Sequence, residues 1–385
     1  MRRVYCDANA TTPLAPEVLE AMRPYLMEEF GNASSIHLYG QQARKAVEKA
    51  RETLARFFRC REAEVVFNSG GTEGDNAAIF GLVRAGDHLI ASAIEHEAVL
   101  RAAERVAKRG AEVTLVAPRA DGAIDPEVIR RALRPTTRLI SVMLANNETG
   151  VLQPVEEIGK IAAGASAFFH IDAVQGAGKI EFDVDRFGCH LCSISAHKMH
   201  GPKGVGAMYV RRGTPLEPLM VGGSHERRQR AGTQNVPGIV GLGKAAGLAM
   251  EKLADGTNER IAALRDRLEM GILRIAGTAI NGAGAPRVAN TTNIRFAQLE
   301  GEALLIALDL KGVAVSGGSA CHSGATEPSH VLMAMGLDKG AARASLRFSL
   351  LRTATDEDVE QVLKVVPQAV EHLRALAPET VISGQ

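Results

Sequence analysis

Short apolar runs alternate with amphipathic stretches through most of the chain, and this alternation restricts the fold more than any other feature. Strands that alternate with helices favour a layered α/β sheet. Strand-like runs fall at 64–68, 88–92, 112–116, 138–144, 167–171, 191–195 and 206–210. They make about seven strands of one mostly parallel sheet. Between them, 42–58 places Ala43, Val47, Ala50, Leu54 and Phe57 on one helical stripe, and a helix follows from about 73 to 82. The pattern then changes. A helical stretch at 243–275 breaks near Asp255-Gly256, strands are expected at 290–296 and 313–316, and helices at 302–310 and 356–376. We expect a large unit over 13–255 and a smaller α+β unit built from 1–12 and 256–385.

With 385 residues and 46% hydrophobic content, the chain is too long for one small core. A net charge of +1 provides no bulk field for nucleic acid or an anionic membrane. The basic run at 225–230 reads as a solvated loop, or as a phosphate or subunit contact. No apolar run approaches the roughly 20 residues of a membrane helix. The N-terminus lacks the apolar core of a signal peptide. Five scattered cysteines, an odd count, argue against a disulfide framework, so reduced thiols in the cytoplasm are expected.

Several motifs carry chemistry. Lys198 ends the apolar run Cys192-Ser193-Ile194-Ser195-Ala196-His197-Lys198 and precedes a glycine-rich turn. A lysine on a rigid element, beside small polar side chains, suits a covalent bond to pyridoxal phosphate (PLP). Asp172 closes another apolar run, where a carboxylate can pair with a protonated pyridine nitrogen. Ser69-Gly70-Gly71-Thr72 joins a strand to a helix; it is either an ordinary cap or a phosphate cradle made by free backbone N–H groups. His96 follows a strand end, as a structural residue or as a catalytic ring that stacks on a cofactor and shuttles protons. Asn147 lies in an Asn-rich turn and is a candidate partner for a ring oxygen or a substrate carboxylate. Cys321 sits in a small, polar stretch, which favours a reactive thiol over a buried one. Cys189-His190-Leu191-Cys192 has no second pair at zinc spacing and reads as packing. Arg347, among apolar neighbours, could grip a carboxylate bidentately or make a salt bridge.

Taken in order, these segments resemble the NifS/IscS-type cysteine desulfurases, class V aminotransferase-like enzymes of PLP fold type I. The matching runs are 7–12, 68–76, Glu95-His96, 145–150, 170–175, 195–206, 232–235, 318–321, Glu327-Pro328-Ser329-His330-Val331-Leu332 and 345–349. The resemblance covers nearly the whole chain. It implies that Lys198 bonds the cofactor and serves as the base, that Asp172 faces the pyridine nitrogen, and that Gln175 faces the ring hydroxyl. His96 would stack on the ring. Gly71, Thr72, Ser195 and His197 would hold the phosphate, with Thr233 reaching in from the second subunit of a homodimer. Asn147 would touch the cofactor and, with Arg347, fix the carboxylate of L-cysteine. Cys321, on a loop of the mobile kind, would take the sulfur as a persulfide. The reaction would yield L-alanine and supply an acceptor protein such as an iron–sulfur scaffold. No metal site is implied within the chain; Cys321 would be the residue to touch a partner-bound iron–sulfur cluster. A selenocysteine lyase or another class V PLP enzyme is the alternative. Cys6, Ala8 and Leu350 depart from the usual residues, the first two as packing changes. The chain end lacks the longer tail with which IscS-type members dock their scaffold, which favours a NifS-like or stand-alone assignment.

Overall fold

A computed structural model describes residues 2–317 and 327–376. Strand β1 (Val4–Tyr5) opens the chain. Seven strands then form one sheet: β2 (Val65–Asn68), β3 (His88–Ser92), β4 (Glu112–Val116), β5 (Thr137–Ser141), β6 (Phe168–Asp172), β7 (Leu191–Ser195) and β8 (Gly206–Val210). Their order is β2-β8-β7-β6-β5-β3-β4. Only β8 runs against its neighbours; the pairs from β7 through β4 are parallel. Parallel strands are covered by helices on both faces, which is why β3, β6 and β7 read as continuous apolar runs and not as alternating ones. Apolar clusters pack both faces: Leu54, Phe58, Ile171 and Ile194 belong to one, and Ile79, Leu89, Val99 and Leu191 to the other.

The strand order reverses between β3 and β5, since β3 connects outward to β4 and the chain then returns. Open α/β sheets bind ligands beyond the carboxyl ends of their strands at such a reversal. The turns that carry His96 and Asn147 follow β3 and β5.

A second, antiparallel sheet has the order β12-β13-β10-β9, from β9 (Thr278–Ile280), β10 (Thr291–Phe296), β12 (Ser316–Gly317) and β13 (Ser345–Ser349); β11 (Val313–Ala314) pairs in parallel with β1. A separate core beneath it joins Val4 and Cys6 to Leu264, Phe296, Leu346, Phe348 and Val362. Cys6 and Leu350 are both buried there.

Some expectations need correction. The single strand at 313–316 is two strands, because Val313–Ala314 serves β1 and Ser316–Gly317 serves β13. The strand expected over 138–144 stops at Ser141, where the chain bends into the site. The helix expected from 243 starts at Val236, capped by the Asn235 side chain accepting from Gly238 N at 3.1 Å. Its glycines had hidden the helical pattern. The break lies where expected, with Gly256 at φ 82° between Val236–Ala254 and Thr257–Ile272.

Candidate active site

The site grows from five chain segments that meet beyond the ends of β2, β3, β5, β6 and β7. Lys198 follows β7 in a short turn of 3-10 helix. Its Nζ donates to Asn9 O at 2.5 Å and to Ala10 O at 2.9 Å, so the N-terminal segment holds the amine in place. Asp172 ends β6. One carboxylate oxygen accepts from Val174 N at 2.9 Å, which shapes the turn that presents Gln175. Lys198, Asp172, Gln175, His96 and Asn147 line a cavity of about 210 Å³. Gly71, Thr72, Ser195 and His197 line the same cavity and an adjoining opening toward Lys203.

The helix Gly71–Leu82 points its N-terminus into this opening. Its cap, Gly70, has φ 141° and no capping side chain, a conformation closed to other residues. A Cβ on Gly71 would lie 2.6 Å from Val174 Cγ2, so glycine allows the helix end to press on the Asp172–Gln175 turn. Free N–H groups, the helix dipole and the hydroxyls of Thr72 and Ser195 fit a phosphate. His197 is partly buried. Burial, then Lys198 and Lys203, lower its pKa to about 4, so the ring is neutral. Its Nδ1 pairs with Thr11 Oγ1 at 3.1 Å.

His96 caps the helix Glu97–Ala107: its Nδ1 accepts from Ala98 N at 3.1 Å, which fixes the ring at the cavity wall. Beneath it Glu95 is buried and accepts from Ser92 Oγ and from Met143 N. Burial pushes the Glu95 carboxyl well above the usual range. Asp172 is raised to about 6, first by burial and then by Asp75, while His96 opposes the rise. A protonated pyridine nitrogen beside Asp172 would supply the missing positive partner.

The turn after β5 is organised by Asn146, whose Oδ1 accepts from Glu148 N and Thr149 N at 2.9 and 3.0 Å. Asn147 O accepts from Arg347 Nη1 at 2.9 Å, and Arg347 Nη2 donates to Asp7 Oδ1 at 2.6 Å. Arg347 Nε is buried without a hydrogen-bond partner. Arg347 therefore stands behind Asn147 and outside the cavity lining.

Nine of the expected residues share the cavity: Gly71, Thr72, His96, Asn147, Asp172, Gln175, Ser195, His197 and Lys198. Thr233 is not brought in; it is exposed on the surface of the single chain. Cys321 lies outside the described residues. The basic run at 225–230 is more than a solvated loop. Glu226 is buried and pairs bidentately with Arg51 at 2.8 and 3.0 Å, and Arg230 reaches Glu73 at 2.8 Å. Cys189 and Cys192 are buried, the first in the connection before β7 and the second within it. Among the described residues no cluster of three or more His, Cys, Asp or Glu could hold a metal. Sequence reasoning missed Asp75, Asn9 and Lys179; Asp75 and Asn9 lay inside matched motifs, but no local pattern marks a residue whose partners are distant.

Comparison with known proteins gives the family of the chain. Residues 4–362 match the aminotransferase class-V family, and the chain belongs to that family. It is 47% identical over 383 residues to a protein named cysteine desulfurase IscS from Methanosarcina thermophila, covering 98% of this chain and 95% of that one. A cysteine desulfurase IscS from Dictyoglomus turgidum is also 47% identical, over 98% of this chain and 97% of the other. A solved NifS-like protein superimposes with a TM-score of 0.90 at 36% identity, covering 97% of this chain and 100% of that one. Another, from Rickettsia africae, gives 0.88 at 32% identity, over 96% and 100%.

Proposed function

We infer that the chain is a PLP-dependent cysteine desulfurase, which converts L-cysteine to L-alanine and passes the sulfur on. The observation that carries this reading is the cavity joining Lys198 to Asp172 in a chain nearly half identical, end to end, to cysteine desulfurases. When bound, PLP withdraws electrons from the substrate α-carbon.

The residue roles follow from position. Lys198 is the covalent anchor and, once released, an amine within reach of the α-proton. Asp172 would hold the pyridine nitrogen protonated, and His96 would provide the wall against the ring. Gly71, Thr72, Ser195 and His197 hold the phosphate, with Thr233 of a second subunit. Asn147 orients the substrate, and Arg347 attracts its carboxylate from behind. The Cys321 thiolate attacks the substrate sulfur. An S–S bond forms as the C–S bond breaks, and the carbon keeps the electron pair and takes a proton to become the alanine methyl group.

A homodimer suits the surface. Met27, Phe30, Ile36 and Leu38 are 77%, 73%, 88% and 67% exposed along one segment, apolar area that a second copy would cover. A core drawn only from 1–12 and 256–385 supports the division into 13–255 and 1–12 with 256–385, while Val331, Leu332, Met335 and Ala342 pack into the core of the large unit. No helix among the described residues is long and apolar enough to cross a membrane. We place the protein in the cytoplasm, supplying an acceptor such as an iron–sulfur scaffold.

The test is direct. Purified protein with L-cysteine should release alanine and protein-bound or free sulfur in equal amounts, faster than it acts on selenocysteine. Absence of alanine would refute the activity, and a strong preference for selenocysteine would reassign it.

A further inference from the structure

A second lysine sits behind the cavity. Lys179 is part-buried; its Nζ donates to Gln175 Oε1 at 2.9 Å and to Asn9 Oδ1 at 2.7 Å. Gln175 Nε2 in turn donates to Asn9 O at 2.9 Å, the same carbonyl that holds Lys198 Nζ. Asn9 is 2% exposed, and its Nδ2 donates to Asn147 O at 3.1 Å and to Thr291 Oγ1 at 2.9 Å. Asn9 thus joins Lys198, Gln175, Lys179 and Asn147 directly.

This network determines which way an amide faces. A glutamine amide can rotate to exchange its oxygen and nitrogen at little steric cost. An ammonium group has donors only, so whatever lies against Lys179 must be the oxygen. The carbonyl of Asn9 accepts only, so whatever lies against it must be the nitrogen. Both ends of Gln175 are therefore assigned by chemistry, and the spare N–H of Nε2 is what remains for the cavity.

We propose that Lys179 is a positioning residue of the cofactor site, which locks Gln175 as a hydrogen-bond donor toward the ring oxygen of bound PLP. A donor there stabilises the ionised ring oxygen, whereas a flipped amide would offer an acceptor and favour the neutral hydroxyl. The inference rests on the cofactor reading above. Lys179 lies outside the lining of the cofactor cavity, so it acts through Gln175. Burial, then Lys198 and Arg347, press its pKa well below the usual lysine range. Even as a neutral amine Nζ donates here, because the Asn9 carbonyl, which only accepts, keeps Gln175 Nε2 on its own side and leaves Oε1 facing Nζ. The charged and titratable groups around the ring position are Asp75, His96, Asp172, His197 and Lys198 in the wall, and Arg347 behind Asn147.

The test uses the holoenzyme and compares Lys179→Met, which removes the donor, with Lys179→Gln, which keeps a donor without charge. The readouts are the pH midpoint of the bound-cofactor absorbance and the affinity of apoprotein for PLP. For Lys179→Met we expect the midpoint to rise by about half a unit to one unit and affinity to fall about three- to tenfold. Lys179→Gln should stay near the parent. Should Lys179→Met not fold, Lys179→Glu, which presents an acceptor when ionised, replaces it and should shift the midpoint in the same direction. An unchanged midpoint and affinity in a folded Lys179→Met or Lys179→Glu protein overturns the proposal. Absence of any cofactor absorbance in the parent would instead overturn the cofactor reading itself.

Discussion

The Ser329 hydroxyl donates to Glu148 Oε2 at 2.5 Å, with both side chains buried. The next residue, His330, places Nε2 at 3.0 Å from Glu95 O. Two adjacent residues thus tie the Pro-Ser-His run to the turns that carry Asn147 and His96. Ser329 also accepts from Leu332 N at 3.1 Å and so caps the following helix.

Burial raises the Glu148 carboxyl to about 7, against the opposing pull of Ser329 and Arg347. Between the unfolded value near 4.5 and this folded value the native state binds the extra proton, so stability falls as pH rises through that window. Glu148→Gln keeps an acceptor for Ser329 and removes the ionisation. Its stability relative to the parent should rise between pH 5 and about 7, measured by urea unfolding across pH. Ser329→Ala should cost about 1–3 kcal/mol in the same assay, since it leaves a buried carboxyl oxygen unpaired.

Lys198→Ala should purify without the absorbance of covalently bound PLP and show no turnover. Cys321→Ala should keep that absorbance yet produce no persulfide or sulfide from cysteine. A parental spectrum in the first variant refutes the lysine assignment, and normal sulfide release in the second refutes the cysteine assignment.

Gly71→Ala places a Cβ at 2.6 Å from Val174 Cγ2. The helix end must move off the Asp172–Gln175 turn, which displaces its N–H groups from the phosphate position. PLP affinity should drop about tenfold or more, with the far-UV spectrum unchanged. Equilibrium dialysis of apoprotein against PLP measures it.

Glu226 and Arg51 form an ion pair with side chains 2% and 3% exposed, beneath a segment where Glu226, Arg227 and Arg228 all have positive φ. Burial alone would raise the Glu226 carboxyl; Arg51 outweighs it, and the net shift is downward. The pair therefore stabilises the fold above the ordinary glutamate range and loses that effect as pH falls through it. Glu226→Ala should cost about 3 kcal/mol at neutral pH, because the buried Arg51 guanidinium loses its bidentate partner and keeps only the more exposed Glu48. The deficit should narrow in acid, which chemical unfolding at several pH values will read.

The seven-stranded sheet was legible because four of its strands are buried parallel runs bounded by turn residues, a signal contained within each segment. Much of the cavity lining was legible because Gly71, Thr72, His96, Asn147, Asp172 and Lys198 end or closely follow strands, whereas Gln175 was implied only by the family resemblance. β9 was not seen, since three half-buried residues carry no period. The division at Val315 was not seen either, because it depends on two different partner strands. No local pattern marks Lys179; Asn9 and Gln175, 170 and 4 residues away, are its partners.

The course of the first dozen residues has a consequence for biosynthesis. Val4 pairs with Val313, and Asn9 N reaches the Ser349 hydroxyl at 3.0 Å. A ribosome releases the large sheet long before it delivers those partners, so the leading segment waits, unpaired, through most of translation. The backbone carbonyls that steady the reactive amine fall into place last. The enzyme cannot hold its cofactor correctly until the strands around Val313 and Ser349 have been made, which delays its chemistry well past completion of the large sheet.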